Sequence, residues 1–394
     1  RYYWRVTVKD KSGNSVTSAT AYFETGLMGS GWGNAVWITA GEGAPDADTK
    51  AEREITGGAT DHVEDSVAPL LRREFTAGNG SITSARLYIT AAGLYEVYLN
   101  GQPVTDSVLN PGRSDYSKKL YYQVYDVTEK IQSGENAIGA VLGHGWFRTK
   151  WNNYGTTLGL LARLEITYAD GGTQTVVTDG NWKTFCDGPL RYEDIYNGVT
   201  YDATREIDGW AEIGLDDSAW TAAQTTTASA LNVAAAPVYT PTQETKTNRV
   251  FEVREILHSV ENTYVYDFGQ NMSGVPYLVI RGQKGQRLKI RYGEEINDRL
   301  SNKDGENGTV YQGTFGSAQQ TDYFTCSGGE DIFCPTMTSH GFRYMEVSSL
   351  NFDLPTQTEL ETLIPEVKAY ARYTGMENTS TFESSNEKIN RLYQ

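Results

Sequence analysis

The sequence predicts an all-β chain built as two antiparallel β-sandwiches of jelly-roll-like type in series. Three observations carry this. The chain holds 26 Tyr and 8 Trp beside 40 Gly, a balance of aromatic and turn residues that suits twisted, turn-rich strands. Short runs of alternating apolar and polar residues recur along it, bounded by Asn-Gly and Asp-Gly turns. No amphipathic pattern extends beyond two or three helical turns, and no fixed-period repeat is present. The length of 394 residues also exceeds the ~250–300 at which a single core stops growing.

Residues 1–26 read as a hairpin, with Ser12-Gly13-Asn14 as its turn and 20–25 as its second strand. An opening strand with no partner ahead of it buries no face, so this is read as the last hairpin of a truncated fibronectin-like sandwich. Residues 27–221 form the first complete sandwich, with strands at 85–90, 94–99, 121–125, 137–142 and 161–168. Asn100-Gly101 and Asp170-Gly171-Gly172 supply tight turns between them. Within this domain, 40–66 is rich in Gly, Ala and Asp without periodicity and reads as a surface loop. Residues 222–241 are Ala-, Thr- and Pro-rich and read as a linker. The second sandwich occupies 242–373, with strands at 264–268, 277–281, 287–292, 321–326 and 343–348. Residues 374–394 close on Ser385-Asn386-Glu387, a helix-capping pattern, and on a stripe of Ile389, Leu392 and Tyr393. They read as the start of a helical domain.

Fifty acidic against 34 basic residues give a net charge of −16, which repels a phosphate backbone, so nucleic acid is not expected as a partner. No run approaches the ~20 apolar residues of a spanning helix, and no membrane insertion is expected. The same acidic surplus offers carboxylates everywhere. Glu193-Asp194, Asp216-Asp217 and Glu294-Glu295 are neighbours whose side chains on a strand point to opposite faces, so none makes a natural acid/base couple. No catalytic residue is assigned.

The four histidines, His62, His144, His258 and His340, show no ligand spacing, and Cys186, Cys326 and Cys334 form no Cys-x-x-Cys, so no zinc site is expected. Cys326 and Cys334 flank a five-residue turn-like run, which leaves open a disulfide across a hairpin or two buried thiols. The polar run 297–308 fails the EF-hand pattern, because Gly305 at the turn would put Leu300 at the first ligand position. No metal ligand is assigned. Nucleophile elbows, Walker loops and dinucleotide fingerprints are also absent from the sequence.

Two clusters carry the chemistry of sugar recognition, which needs aromatic platforms for apolar C–H faces beside polar groups for hydroxyls. The first contains His144, Trp146 and Arg148, followed by Trp151 and Asn153. The second, over 192–202, contributes Asp194, Asn197, Tyr201 and Asp202. These nine residues are the candidate carbohydrate contacts; Trp146 as core and Asn197-Gly198 as a plain turn are the competing readings.

The chain resembles a known family through its motifs. Tyr2-Tyr3-Trp4-Arg5-Val6, Gly93-Leu94-Tyr95-Glu96-Val97-Tyr98-Leu99-Asn100-Gly101, Leu109-Asn110-Pro111-Gly112, Asp115-Tyr116 and Tyr122-Gln123-Val124-Tyr125 are similar to the accessory β region of bacterial α-L-rhamnosidases. So are Asp194-Ile195-Tyr196-Asn197-Gly198, Tyr266-Asp267-Phe268-Gly269-Gln270-Asn271 and His340-Gly341-Phe342-Arg343-Tyr344, in the same order along the chain. The resemblance implies a parent glycoside hydrolase that removes terminal α-L-rhamnosyl groups by inversion, with its acid and base carboxylates on a following α/α barrel. It implies rhamnose-containing glycans or glycosides and that barrel as partners, and a bacterial periplasmic or extracellular setting. In some relatives the first β domain binds rhamnose with calcium. Here His144 stands where relatives carry an acidic or amide residue and Val199 where they carry Glu, and both departures remove oxygen ligands.

Overall fold

Alternation along single strands builds the first unit. In Leu94–Leu99 the side chains of Leu94, Tyr95, Val97 and Leu99 are buried, while Glu96 and Tyr98 are half-exposed. One face meets a core and the other does not. Asn100 (φ 50°) and Gly101 (φ 77°) then reverse the chain into Gln102–Pro103, the pair of positive φ values that a twisted hairpin turn needs.

The computed structural model describes residues 1–28, 31–41, 49–50, 53, 67–149, 154–240, 245–298, 304–376 and 379–393. They divide into two units, Arg1–Thr105 with Asn110–Ile195 and Thr200–Pro241, and Asp106–Leu109 with Tyr196–Val199 and Thr242–Gln394.

Among the described residues, the first unit stacks a seven-stranded sheet on a six-stranded one. The larger runs Gln224–Thr226, Trp37–Thr39, Gly159–Tyr168, Ile82–Ala92, Tyr121–Asp126 and Val238–Tyr239, with Thr173–Val177 also paired to Gly159–Tyr168. The smaller runs Thr221–Ala222, Lys183–Phe185, Leu70–Ala77, Gly134–Gly143, Leu94–Leu99 and Gln102–Pro103. Leu71, Leu87, Ile89, Ile138, Leu142, Leu160 and Leu164 belong to one buried core. Truncating any one of them to Ala costs roughly 2–5 kcal/mol.

The stretch 222–241 departs from its reading as a linker. Gln224–Thr226 pairs with Trp37–Thr39, and Val238–Tyr239 joins Tyr121–Asp126 as a parallel edge strand. Composition says little here, because edge pairing uses backbone groups that any residue but Pro supplies. Most of the 40–66 loop lies outside the described residues; Thr49 and Arg53 within it are buried.

The N-terminal hairpin pairs Tyr2–Trp4 with Ala21–Phe23, and Thr7–Lys9 with Ser15–Thr17 around Gly13 (φ 85°). Its strand side chains are almost all exposed.

The second unit is organised by one long strand, Thr263–Ile280, whose register shifts between Asp267 and Met272. Its first half pairs with Glu255–Val260 and its second with Asp331–Phe333 and Glu366–Thr374, while His340–Ser349 follows both halves. Arg287–Gly293 and Thr321–Thr325 extend the sheet past His340–Ser349, and Thr245–Glu252 extends it past Glu366–Thr374. A short helix, Gln357–Leu363, opens on a reciprocal Thr356–Glu359 capping box and buries Leu360 and Leu363. A second helix, Glu387–Tyr393, leaves Ile389, Leu392 and Tyr393 exposed.

The cysteine alternatives are resolved in favour of thiols. Cys186, Cys326 and Cys334 are all thiols, none of them in a disulfide. The strands ending beside Cys326 and Cys334 do not pair with each other: Thr321–Thr325 pairs with Arg287–Gly293, and Asp331–Phe333 with Thr263–Ile280. Burial, with Asp331 nearby, pushes the Cys326 thiol up to about 12.

Candidate functional site

The first candidate cluster begins where Gly134–Gly143 runs out. His144 is buried, and its backbone N donates to Glu193 Oε1 at 2.5 Å while its Nδ1 lies 2.7 Å from the same oxygen. Burial alone would lower the imidazole's affinity for a proton, but the Glu193 carboxylate more than offsets this and raises it above 6.5. Gly145 follows with φ 52°, and a Cβ there would collide with the Leu94 side chain, so this turn requires glycine. The turn drives Phe147 into the core, edge-on to Tyr116 at 5.3 Å, and leaves Trp146 half-buried against that core. Arg148 is buried and its Nη1 donates to Thr156 O at 2.7 Å. Trp151 and Asn153 lie outside the described residues.

The second cluster is divided. Asp194, at the end of Leu190–Asp194, is 0% exposed. Tyr192 lies under the Arg53 guanidinium, 4.5 Å from its ring centroid, and Arg53 Nε donates to Thr200 Oγ1 at 3.0 Å. Tyr201 and Asp202 are half-exposed; the Tyr201 hydroxyl donates to Glu206 at 2.7 Å, and Asp202 caps the turn that follows by accepting from Thr204 N and pairing with Arg205. Asn197 belongs to the second unit, where its side chain accepts from Gln319 N at 3.0 Å. The structure thus joins His144 to Glu193, the neighbour of Asp194, and leaves Trp146, Tyr201 and Asp202 as the described candidates with exposed surface.

The motifs that carry the resemblance hold one another in place. Tyr95 N donates to Asn110 O at 2.8 Å, the Tyr95 hydroxyl to Gln123 Oε1 at 2.7 Å, and Gln123 Nε2 to Pro111 O at 3.0 Å. In the second unit Arg343 grips Asp267 with two bonds of 2.8 and 2.7 Å, and that fork holds the Asp267 carboxyl below the usual range. His340 lies 3.1 Å from Asp322 and stacks on Tyr292, whose hydroxyl donates to Asp322 at 2.6 Å. All three are buried, which suits a structural network better than an open reaction centre.

A family model described as the alpha-L-rhamnosidase N-terminal domain matches residues 80–246. One described as the bacterial alpha-L-rhamnosidase concanavalin-like domain matches 257–364, and a Rha78A-like N-terminal immunoglobulin domain matches 1–29. An α-L-rhamnosidase of Formosa agariphila is 34% identical over 405 residues, covering 100% of this chain. The solved α-L-rhamnosidase of Dictyoglomus thermophilum superposes with a TM-score of 0.83 at 30% identity over 99% of the chain. The chain belongs to the N-terminal region of the α-L-rhamnosidase family. It spans 40% of the Formosa rhamnosidase and 41% of the Dictyoglomus chain. A third rhamnosidase, from Streptomyces avermitilis and solved in complex with L-rhamnose, superposes with a TM-score of 0.74 at 33% identity, over 84% of this chain and 31% of its own.

The donors at the His144 cluster of this rhamnosidase region do not fit calcium. Glu193 Oε1 is taken by His144, and Glu193 Oε2 is buried without a hydrogen-bond partner. Among the described residues, the Glu193 carboxylate beside an imidazole, with the Arg148 charge also acting on the cluster, falls well short of the six to eight oxygens that calcium takes.

Proposed function

We propose that the chain is a non-catalytic accessory segment of a glycoside hydrolase that removes terminal α-L-rhamnosyl groups by inversion outside the bacterial cytoplasm. The observation that supports it best is coverage: the whole chain aligns with α-L-rhamnosidases while spanning about two-fifths of them. The purified chain, incubated with an aryl α-L-rhamnoside, releases no aglycone on this reading; steady turnover would overturn it.

Within that role, sugar contact falls to Trp146 with Tyr201 and Asp202, and the buried His144, Arg148 and Asp194 hold the loops beneath them. Calorimetric titration with L-rhamnose tests this, with heat expected from the wild type and lost in Trp146→Ala. A second reading, a purely structural support for the catalytic domain, is favoured by the burial of His144, Arg148 and Asp194 at 2%, 1% and 0% exposure. It expects no heat at millimolar sugar.

A further inference from the structure

A cleft opens at the foot of the N-terminal hairpin, and its walls are firmly set. The strand Ala21–Phe23 continues through Glu24 and Thr25 to Gly26, where a Cβ would collide with the Tyr122 hydroxyl. That hydroxyl accepts from Leu27 N at 2.8 Å, and Tyr122 itself is buried. Arg86 secures the same stretch from the sheet with a two-point fork onto Glu24, Nε to Oε2 at 2.8 Å and Nη2 to Oε1 at 3.1 Å. Beside these contacts lies an open volume of about 300 Å³ lined by Tyr22, Glu24, Arg86, Tyr88, Asp126 and Tyr239. That is the small end of the ~300–1,000 Å³ typical of ligand clefts, enough for one sugar ring.

We propose that this cleft binds a single neutral pyranose unit, at a site separate from the His144 and Tyr201 clusters. The tyrosine wall supplies faces for the apolar C–H side of a sugar. Charge is balanced within the lining: Arg1 pairs with Glu24 at 2.6 Å, and Arg86 with both Glu24 and Asp126, the latter at 2.8 Å. An ionic ligand would have to break those pairs, so nothing here favours one. Hydrogen-bonding capacity is left over. Asp126 Oδ1 is engaged by Thr128 and Arg86, whereas Asp126 Oδ2 and the hydroxyls of Tyr22 and Tyr88 have no hydrogen-bond partner among the described residues. A hydrocarbon would bury those groups unmatched, at a cost in affinity. A hydroxylated, uncharged ring with one apolar face satisfies the wall, the charge balance and the spare polar atoms together.

Saturation-transfer NMR on the full 394-residue chain tests this with L-rhamnose, D-galactose, D-glucose and D-glucuronate as probes. At least one neutral sugar gives a signal in the wild type and in Tyr373→Ala, an exposed aromatic of the second unit. Affinity falls about tenfold in Tyr22→Ala, as expected on removing an aromatic platform, and falls also in Asp126→Asn. Tyr22 is 55% exposed, so its removal leaves the thermal midpoint unchanged. The proposal is overturned if no neutral sugar binds, if glucuronate is preferred, or if no neutral sugar loses affinity in Tyr22→Ala and Asp126→Asn. A sugar whose signal is lost in Trp146→Ala but kept in Tyr22→Ala sits at the other cluster; if every neutral probe behaves so, the proposal is likewise overturned.

Discussion

Replacing Glu193 by Gln keeps the shape of the buried contact with His144 and removes its charge. The two side chains meet at 2.7 Å with 2% and 0% exposure, so water screens little of their attraction. Because the folded His144 holds its proton more tightly than an unfolded one, the pair's contribution is complete below pH 6.5 and is lost as pH rises through the raised folded value. Removing one member of a buried ion pair costs roughly 3–5 kcal/mol. On the alkaline side, where His144 is neutral in both proteins, the difference shrinks toward a single hydrogen bond, about 1 kcal/mol. Urea unfolding followed by tryptophan fluorescence reads this directly. All 8 Trp precede residue 221, so the signal belongs to the first unit, and Trp182 is buried there. The reasoning is refuted if the destabilisation by Glu193→Gln stays constant or grows as pH is raised from below 6.5 into the alkaline range.

Gly145→Ala should lower the stability of the first unit by more than ~2 kcal/mol, because it combines a left-handed backbone with a clash on Leu94; a thermal midpoint within a degree of wild type would count against the turn as described. Leu87→Ala should cost roughly 2–5 kcal/mol in the same urea assay, whereas a change below 1 kcal/mol would place Leu87 outside the core. Thiol titration of the unfolded chain without reductant should give three equivalents; one equivalent would restore the disulfide. Adding calcium or a chelator should leave the unfolding midpoint of the first unit unchanged, and a calcium-dependent rise would show that the His144 cluster does provide a cation site.

The strands and tight turns were legible because their signals are local. Alternation over 94–99 and the Asn100-Gly101 pair specify a strand and a reversal within eight residues. The pairing of His144 with Glu193 spans 49 positions. Glu193 also sits in a strand whose last four residues are all buried, so no alternation marks the side that matters. Asn197 looks like a ligand-binding residue in sequence, and in the fold its side chain accepts from the Gln319 backbone. The 222–241 stretch is illegible for the opposite reason: its small residues carry no side-chain signal, yet its backbone completes two sheet edges. The hairpin cleft had no sequence signature, since it exists only where residues 22–26 meet 86–88, 124–126 and 239.

The pairing of Thr245–Glu252 with Glu366–Thr374 has a consequence for synthesis on the ribosome. The first of these strands is made more than a hundred residues before its partner. Until Glu366–Thr374 leaves the exit tunnel, Thr245–Glu252 has an unpaired edge and the long strand Thr263–Ile280 lacks one of its neighbours. Completion of the second unit therefore waits until residues 366–374 have been made, and the interval before it is when an unpaired strand edge is most open to mispairing with another chain.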